Sequence, residues 1–169
     1  MMTCLVVLDA RPVEPSKAAI LSCLSARAVA SSVTWRALPT EEINSQDDYL
    51  DGFNATYYLV VQGKEIGFAE KGAETAILFD RKIYPVDSAR ALSGFTTRPT
   101  ELNPYVAEWG TVTAASGAFV CVSFPFGALG QSGSFQKNRS AYLMPLTGPK
   151  NARRLYSAIG KINLSGAPK

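Results

Sequence analysis

From residue 55 the hydrophobic period of this chain is two, and that run does most to limit the fold. Tyr57, Leu59 and Val61 point one way, and Tyr58, Val60 and Gln62 the other, the alternation of a strand with one buried face. Gly63-Lys64 supplies a turn into residues 65–70, and Lys71-Gly72 leads into residues 75–80. Three short strands at hairpin spacing predict an antiparallel meander. Residues 109–114 and 118–124 predict a second hairpin about Ser116-Gly117. The second of these strands is apolar on both faces (Ala118, Val120, Val122 and Phe124 against Phe119 and Cys121), which places it centrally in a sheet. Residues 4–8, 33–38 and 141–146 predict further strands.

Four segments predict helix. In residues 15–30, Pro15 suits a first turn, and Ile20, Leu21, Leu24 and Ala28 form one stripe. Residues 39–52 carry five acids and read as an exposed helix capped by Thr40 and stopped by Gly52. Residues 87–92 give one or two turns ended by Gly94. Residues 148–160 close with a helix that has Pro149 in its first turn and Leu155, Ile159 and Ile162 on its apolar side. The predicted class is α+β, a mixed or mainly antiparallel sheet with helices near the N- and C-termini.

A chain of 169 residues predicts a single domain, 1–169, able to bury roughly 70% of its unfolded surface. The apolar run at Leu5–Leu8 is closed by Asp9 and Arg11, too soon for a secretory signal. Residues 114–130 are broken by Pro125, so no membrane span and no membrane partner is expected. Three cysteines at wide spacings (Cys4, Cys23, Cys121) form neither a disulfide framework nor a zinc pattern; they are expected as small core residues. These features predict a cytoplasmic protein.

The chain contains no histidine. That removes Ser-His and Cys-His nucleophile pairs, His-ligated metals and the usual neutral-pH general base. No catalytic residue can be named, and no metal ligands are assigned. Glu65, Glu70, Glu74 and Asp80 gather in the meander, where alternating surface charge accounts for them more simply than a magnesium site. Tyr57, Tyr58, Trp109, Phe124 and Phe126 are candidates for base stacking, or for core.

Charge is unevenly spread. Residues 1–108 hold all 14 acids and 10 of the 17 basic residues. Residues 109–169 hold Lys137, Arg139, Lys150, Arg153, Arg154, Lys161 and Lys169 with no acid. A basic last third predicts an anionic partner, DNA or a nucleotide, gripped by Lys150, Arg153, Arg154 and Lys161; internal pairing with the acidic part is the alternative. Within SFPFGALGQSGSFQKNR, Gly127, Gly130 and Gly133 permit positive φ. Backbone N–H groups there can form a phosphate nest completed by Lys137 and Arg139; a plain connecting loop is the alternative. The spacing matches neither a Walker loop nor a dinucleotide fingerprint, and GQSG lacks the nucleophile-elbow spacing.

The segment GSFQKNRSAY, residues 133–142, resembles the phosphate-handling loop of the ParB/sulfiredoxin superfamily, in which a glycine-containing turn precedes a basic pair and small residues. Arg139 and Ala141 occupy the matching places; Asn138 stands where that loop often has histidine, and Pro145 falls where a helix would follow. The resemblance implies nucleotide or nucleic-acid chemistry: a histidine-free nuclease or ATPase using Arg139, with ATP and Mg²⁺, acting on plasmid or transferred DNA, as in members that restrain conjugation. The reactive cysteine of sulfiredoxins has no counterpart. The alternative from another class is a non-enzymatic inhibitor or immunity-type protein, presenting the acidic residues 41–51 to a basic protein target.

Overall fold

The structure, a computed structural model, describes residues 13–39, 45–92, 107–125 and 138–161. In chain order the elements are helix α1 (Lys17–Ser25) and strands β1 (Thr34–Ala37), β2 (Gln46–Leu50), β3 (Phe53–Val61), β4 (Lys64–Lys71), β5 (Glu74–Phe79), β6 (Ile83–Pro85), β7 (Arg90–Ala91), β8 (Glu108–Ala114), β9 (Gly117–Pro125), β10 (Asn138–Pro145) and β11 (Tyr156–Lys161). Two 3₁₀ turns, Val86–Ser88 and Lys150–Ala152, precede β7 and β11.

The strands form two sheets. One has six strands in the order β1-β8-β9-β10-β11-β7, the other five in the order β2-β3-β4-β5-β6. Pairing is antiparallel throughout except where β11 runs parallel to β7. The expected meander and the hairpin about Ser116-Gly117 are both present, and β9 is central. Alternation builds the layers. Leu59, Val61, Ile66, Phe68, Ile77 and Phe79 from the five-stranded sheet share one core with Val120, Val122, Phe124, Tyr142 and Met144 from the six-stranded one. The opposite face of the larger sheet (Val112, Phe119, Cys121, Ala141, Leu143, Tyr156, Ala158) is covered by Ala19, Ile20, Cys23 and Leu24 of α1. Phe53, Ala55, Ala69, Ala76 and Leu78 form a smaller cluster on the outer face of the five-stranded sheet.

The α+β class with helices at both ends is corrected to a mainly β fold. The predicted helix at 148–160 is a 3₁₀ turn and strand β11. Its Leu155–Ile159 spacing of four fits a strand as well as a helix, and Tyr156 and Ala158 are drawn onto the face that α1 covers, in register with Leu143 and Ala141. The predicted helix at 39–52 is, where described, edge strand β2, whose pairing with β3 overrides local propensity. Residues 86–91 are a 3₁₀ turn leading into β7 rather than an α-helix. Helix α1 is shorter than predicted. Ser16 caps it, accepting from the Ala19 N–H, and it ends when Ala26 enters the left-handed region at φ 49°, with the Arg27 N–H bonded to Ser22 O at 3.1 Å.

Cys23 and Cys121 are joined as a disulfide that ties α1 to β9 across 98 residues, a correction to the reading of free core thiols. Wide spacing hid the pair, because the fold rather than the sequence brings their Cα atoms to 5.8 Å. The strand expected at residues 4–8, with Cys4, lies outside the described residues. Among those described, no helix is long and apolar enough to cross a membrane.

Candidate functional site

The glycine loop, with Gly127, Gly130, Gly133 and Lys137, lies outside the described residues, as does most of the segment that resembles the ParB/sulfiredoxin loop. Its arginine is described. Arg139 is the second residue of β10 and is buried. Its Nε and Nη2 donate to Ser123 Oγ at 3.2 and 2.9 Å, and Nη2 pairs with the Glu108 carboxylate. Ser123 in turn donates to Leu24 O at 3.1 Å. Arg139 therefore ties β8, β9, β10 and the end of α1 together, an internal role for a side chain expected to reach a ligand. Lys161 is exposed near the same end of the β10–β11 hairpin, Asn138 being its register partner. At about 3.3 Å per residue it lies some 16 Å along β11 from Tyr156, well away from Arg153 and Arg154.

Those two arginines meet residues that a tally of the basic third passed over. A groove of about 400 Å³ is lined by Lys82, Tyr84, Ser88, Arg90, Arg153, Arg154 and their neighbours, where edge strands β6 and β7 of the two sheets approach the start of β11. Arg153 is buried, donates from Nη1 to Asp80 Oδ2 at 2.6 Å, and lies 5.0 Å over the Phe79 ring. Lys150 reaches the other Asp80 oxygen at 3.2 Å. Hydrogen bonding from Arg153, helped by Lys150, outweighs burial and holds the Asp80 carboxyl below the usual aspartate value. Arg90 pairs with Glu14 at 2.7 Å. Lys82 lies 5.2 Å over the Tyr84 ring, and among the described residues neither Lys82 nor Arg154 makes an ion pair. Arg153 Nε and the Tyr84 hydroxyl are sealed within this wall, where the Arg153 guanidinium lies within hydrogen-bonding reach of the phenol. Burial pushes the Tyr84 phenol up despite the nearby Arg153 charge, so it stays protonated.

A second cleft, of about 640 Å³, opens on the outer face of the five-stranded sheet. It is lined by Ser45, Gln46, Tyr49, Leu50, Tyr58, Glu65 and Arg81. A register shift between Ala55 and Tyr57 inserts an extra residue in β3, so that Ala55 and Tyr58 share the outer face while Leu59 and Val61 enter the core. Tyr58 stands opposite Gly67, which is buried. Tyr49 donates its hydroxyl to Glu65. Burial pushes Glu65 up, but hydrogen bonds from Tyr49 and Tyr58 and the Arg81 charge outweigh it, so the carboxyl sits below its usual value. Burial and the bond to Glu65 push the Tyr58 phenol well up, and Tyr49 moves the same way.

The turn between β5 and β6 divides the two clefts. Phe79 N–H bonds Lys82 O at 2.9 Å and Lys82 N–H bonds Phe79 O at 3.1 Å. Asp80 and Arg81 both have positive φ, 52° and 59°, the two-residue turn with both central residues left-handed. Of the carboxylates considered for magnesium, Asp80 is spent on Lys150 and Arg153 and Glu65 on the tyrosines; among the described residues no group of three His, Cys, Asp or Glu could hold a metal. Trp109 and Phe124 are core, Phe126 is outside the described residues, and nothing is described of the Tyr57 side chain. Comparison with family models, curated proteins and solved structures finds no match for this chain.

Proposed function

We propose that the chain binds the phosphate of a nucleotide or nucleic-acid strand in the groove lined by Lys82, Arg90, Arg153 and Arg154. One observation carries this reading: the groove is lined by Lys82, Arg90, Arg153 and Arg154, and among the described residues neither Lys82 nor Arg154 is ion-paired. The partner these two cations lack is an anion. A phosphate answers both, Arg154 through charge-assisted hydrogen bonds. The reading keeps the anionic partner expected from the basic third, moves its contacts from the glycine loop to this groove, and adds Lys82 and Arg90. It stops at binding, with no reacting group assigned.

Titration with ATP and with a short oligonucleotide at several salt concentrations tests it. On duplex DNA the affinity falls with a log–log slope near −0.9 for each phosphate neutralised. Arg154→Ala is expected to weaken both ligands about tenfold, one charged hydrogen bond, with an unchanged melting temperature. No binding of either ligand at low salt sinks the proposal.

The protein-inhibitor alternative draws on β2, an edge strand with exposed Asp47 and Asp48; Glu41 and Glu42 are outside the described residues. The cytoplasmic expectation meets a contrary observation in the Cys23–Cys121 bridge, since disulfides persist mainly in oxidising compartments. We therefore favour such a compartment. Alkylation of the protein in freshly lysed cells, before and after reduction, is expected to label the pair only after reduction; labelling beforehand returns the protein to the cytoplasm.

A further inference from the structure

The cleft on the outer face of the five-stranded sheet is built from four separate elements, and the phosphate groove uses none of its residues. Ser45, Gln46, Tyr49 and Leu50 come from β2 and its approach, Tyr58 from β3, Glu65 from β4 and Arg81 from the β5–β6 turn. Its volume of about 640 Å³ falls within the range of small-molecule sites. The Tyr49 and Tyr58 rings lie 5.9 Å apart and are tilted by 55°, and both are half-buried, an apolar wall open to solvent. Beyond them Val60, register partner of Glu65, is 60% exposed, so the apolar wall runs on past the acid.

The polar lining selects the ligand class. Glu65 remains ionised because two phenols and Arg81 favour its charge, and Arg81 is always charged. A carboxylate and a guanidinium that already offset each other give the cleft no net preference for a cation or an anion. The phenols stay neutral: Tyr49 donates to Glu65, and the Tyr58 hydroxyl lies within hydrogen-bonding reach of both Glu65 and Tyr49. Gln46 offers an amide with both donor and acceptor, Arg81 offers donors, and Glu65 keeps free lone pairs. Planar groups that both donate and accept, beside tyrosine ring faces, match adjacent hydroxyls on an otherwise C–H-covered ring.

We propose that this cleft binds a neutral saccharide, with its ring against Tyr49 and Tyr58 and its hydroxyls on Glu65, Gln46 and Arg81. The role is binding rather than hydrolysis, because glycoside cleavage generally uses a pair of carboxylates and Glu65 is the one carboxylate among the described lining residues.

Saturation-transfer NMR on the full chain, with glucose, galactose, mannose, N-acetylglucosamine and their β-linked disaccharides at up to about 10 mM, tests the proposal. Transfer from at least one sugar is expected. Glu65→Gln should weaken that binding at least about tenfold, the scale of one charged hydrogen bond, and Tyr58→Ala should weaken it further. Should Tyr58→Ala not fold, Glu65→Gln alone decides. Arg154→Ala, in the other groove, should leave saccharide affinity unchanged. Absence of transfer from every sugar, or equal binding by wild type and Glu65→Gln, overturns the proposal whatever the outcome with phosphate.

Discussion

Asp80, Arg81 and Lys82 are consecutive, yet each serves a different neighbour: Asp80 holds Arg153 and Lys150, Arg81 lines the tyrosine cleft, and Lys82 lines the basic groove. A two-residue turn of this kind favours Asn or Asp followed by glycine, so Arg81 at φ 59° is the costly choice. The left-handed region costs a side-chain-bearing residue about 1–2 kcal/mol, while glycine loses about 0.5–1 kcal/mol of that advantage to its freer unfolded state. Arg81→Gly is therefore expected to raise stability by about 0.5–1 kcal/mol, a gain of a few degrees in Tm, and to weaken saccharide binding about tenfold. Strain kept at a turn between two clefts fits a residue retained for what it touches. A lower Tm for Arg81→Gly would show that the guanidinium holds the fold together instead. None of this is visible in the string FDRK alone, where Arg81 reads as an ordinary surface charge.

At the scale of elements, what could be read from the sequence depended on whether local pattern and tertiary pairing agreed. The β3–β4–β5 meander and the β8–β9 hairpin were readable because alternation and turn residues pointed to one answer. In β11 they did not: Leu155, just before the strand, enters the inter-sheet core while Tyr156 and Ala158 face α1, so the apolar residues do not keep to one face and a spacing of four imitates a helix. β2 was hidden in the same way, its acids suggesting an exposed helix although pairing with β3 decides its form. The tyrosine cleft could not be assembled beforehand, since its residues come from three strands and a turn and only the register brings them together. Of the basic groove, Arg153 and Arg154 were named. Lys82 and Arg90 were missed because charge was counted along the chain, whereas the fold carries β6 and β7 to the start of β11. Arg139 was singled out and then found buried, because its side chain reaches diagonally to Ser123 on β9 and on to Glu108 on β8, a cross-strand tie that only the register creates.

Across the whole molecule, the two sheets hold each other through one shared core, but α1 packs on the far side of the six-stranded sheet and contributes nothing to that core. Its hold on the rest is the apolar patch around Ala19, Ile20 and Leu24, the Ser123–Leu24 hydrogen bond and the Cys23–Cys121 bridge. The bridge closes a loop of 98 residues, long enough that in the chain-entropy account it removes over 4 kcal/mol of freedom from the unfolded state, with typical measured values of about 2–4 kcal/mol. For a chain of this length each kcal/mol corresponds to about 2–4 °C. Cys23→Ala, Cys121→Ala is thus expected to unfold on the order of 5–15 °C below the wild type in calorimetry, and added reductant should lower the wild type to a similar temperature while leaving the double variant unmoved. Because no residue of α1 lines either cleft, the double variant should still bind ATP and saccharide with wild-type affinity at 20 °C. A double variant that melts with the wild type would mean the bridge constrains nothing the packing of α1 does not already fix.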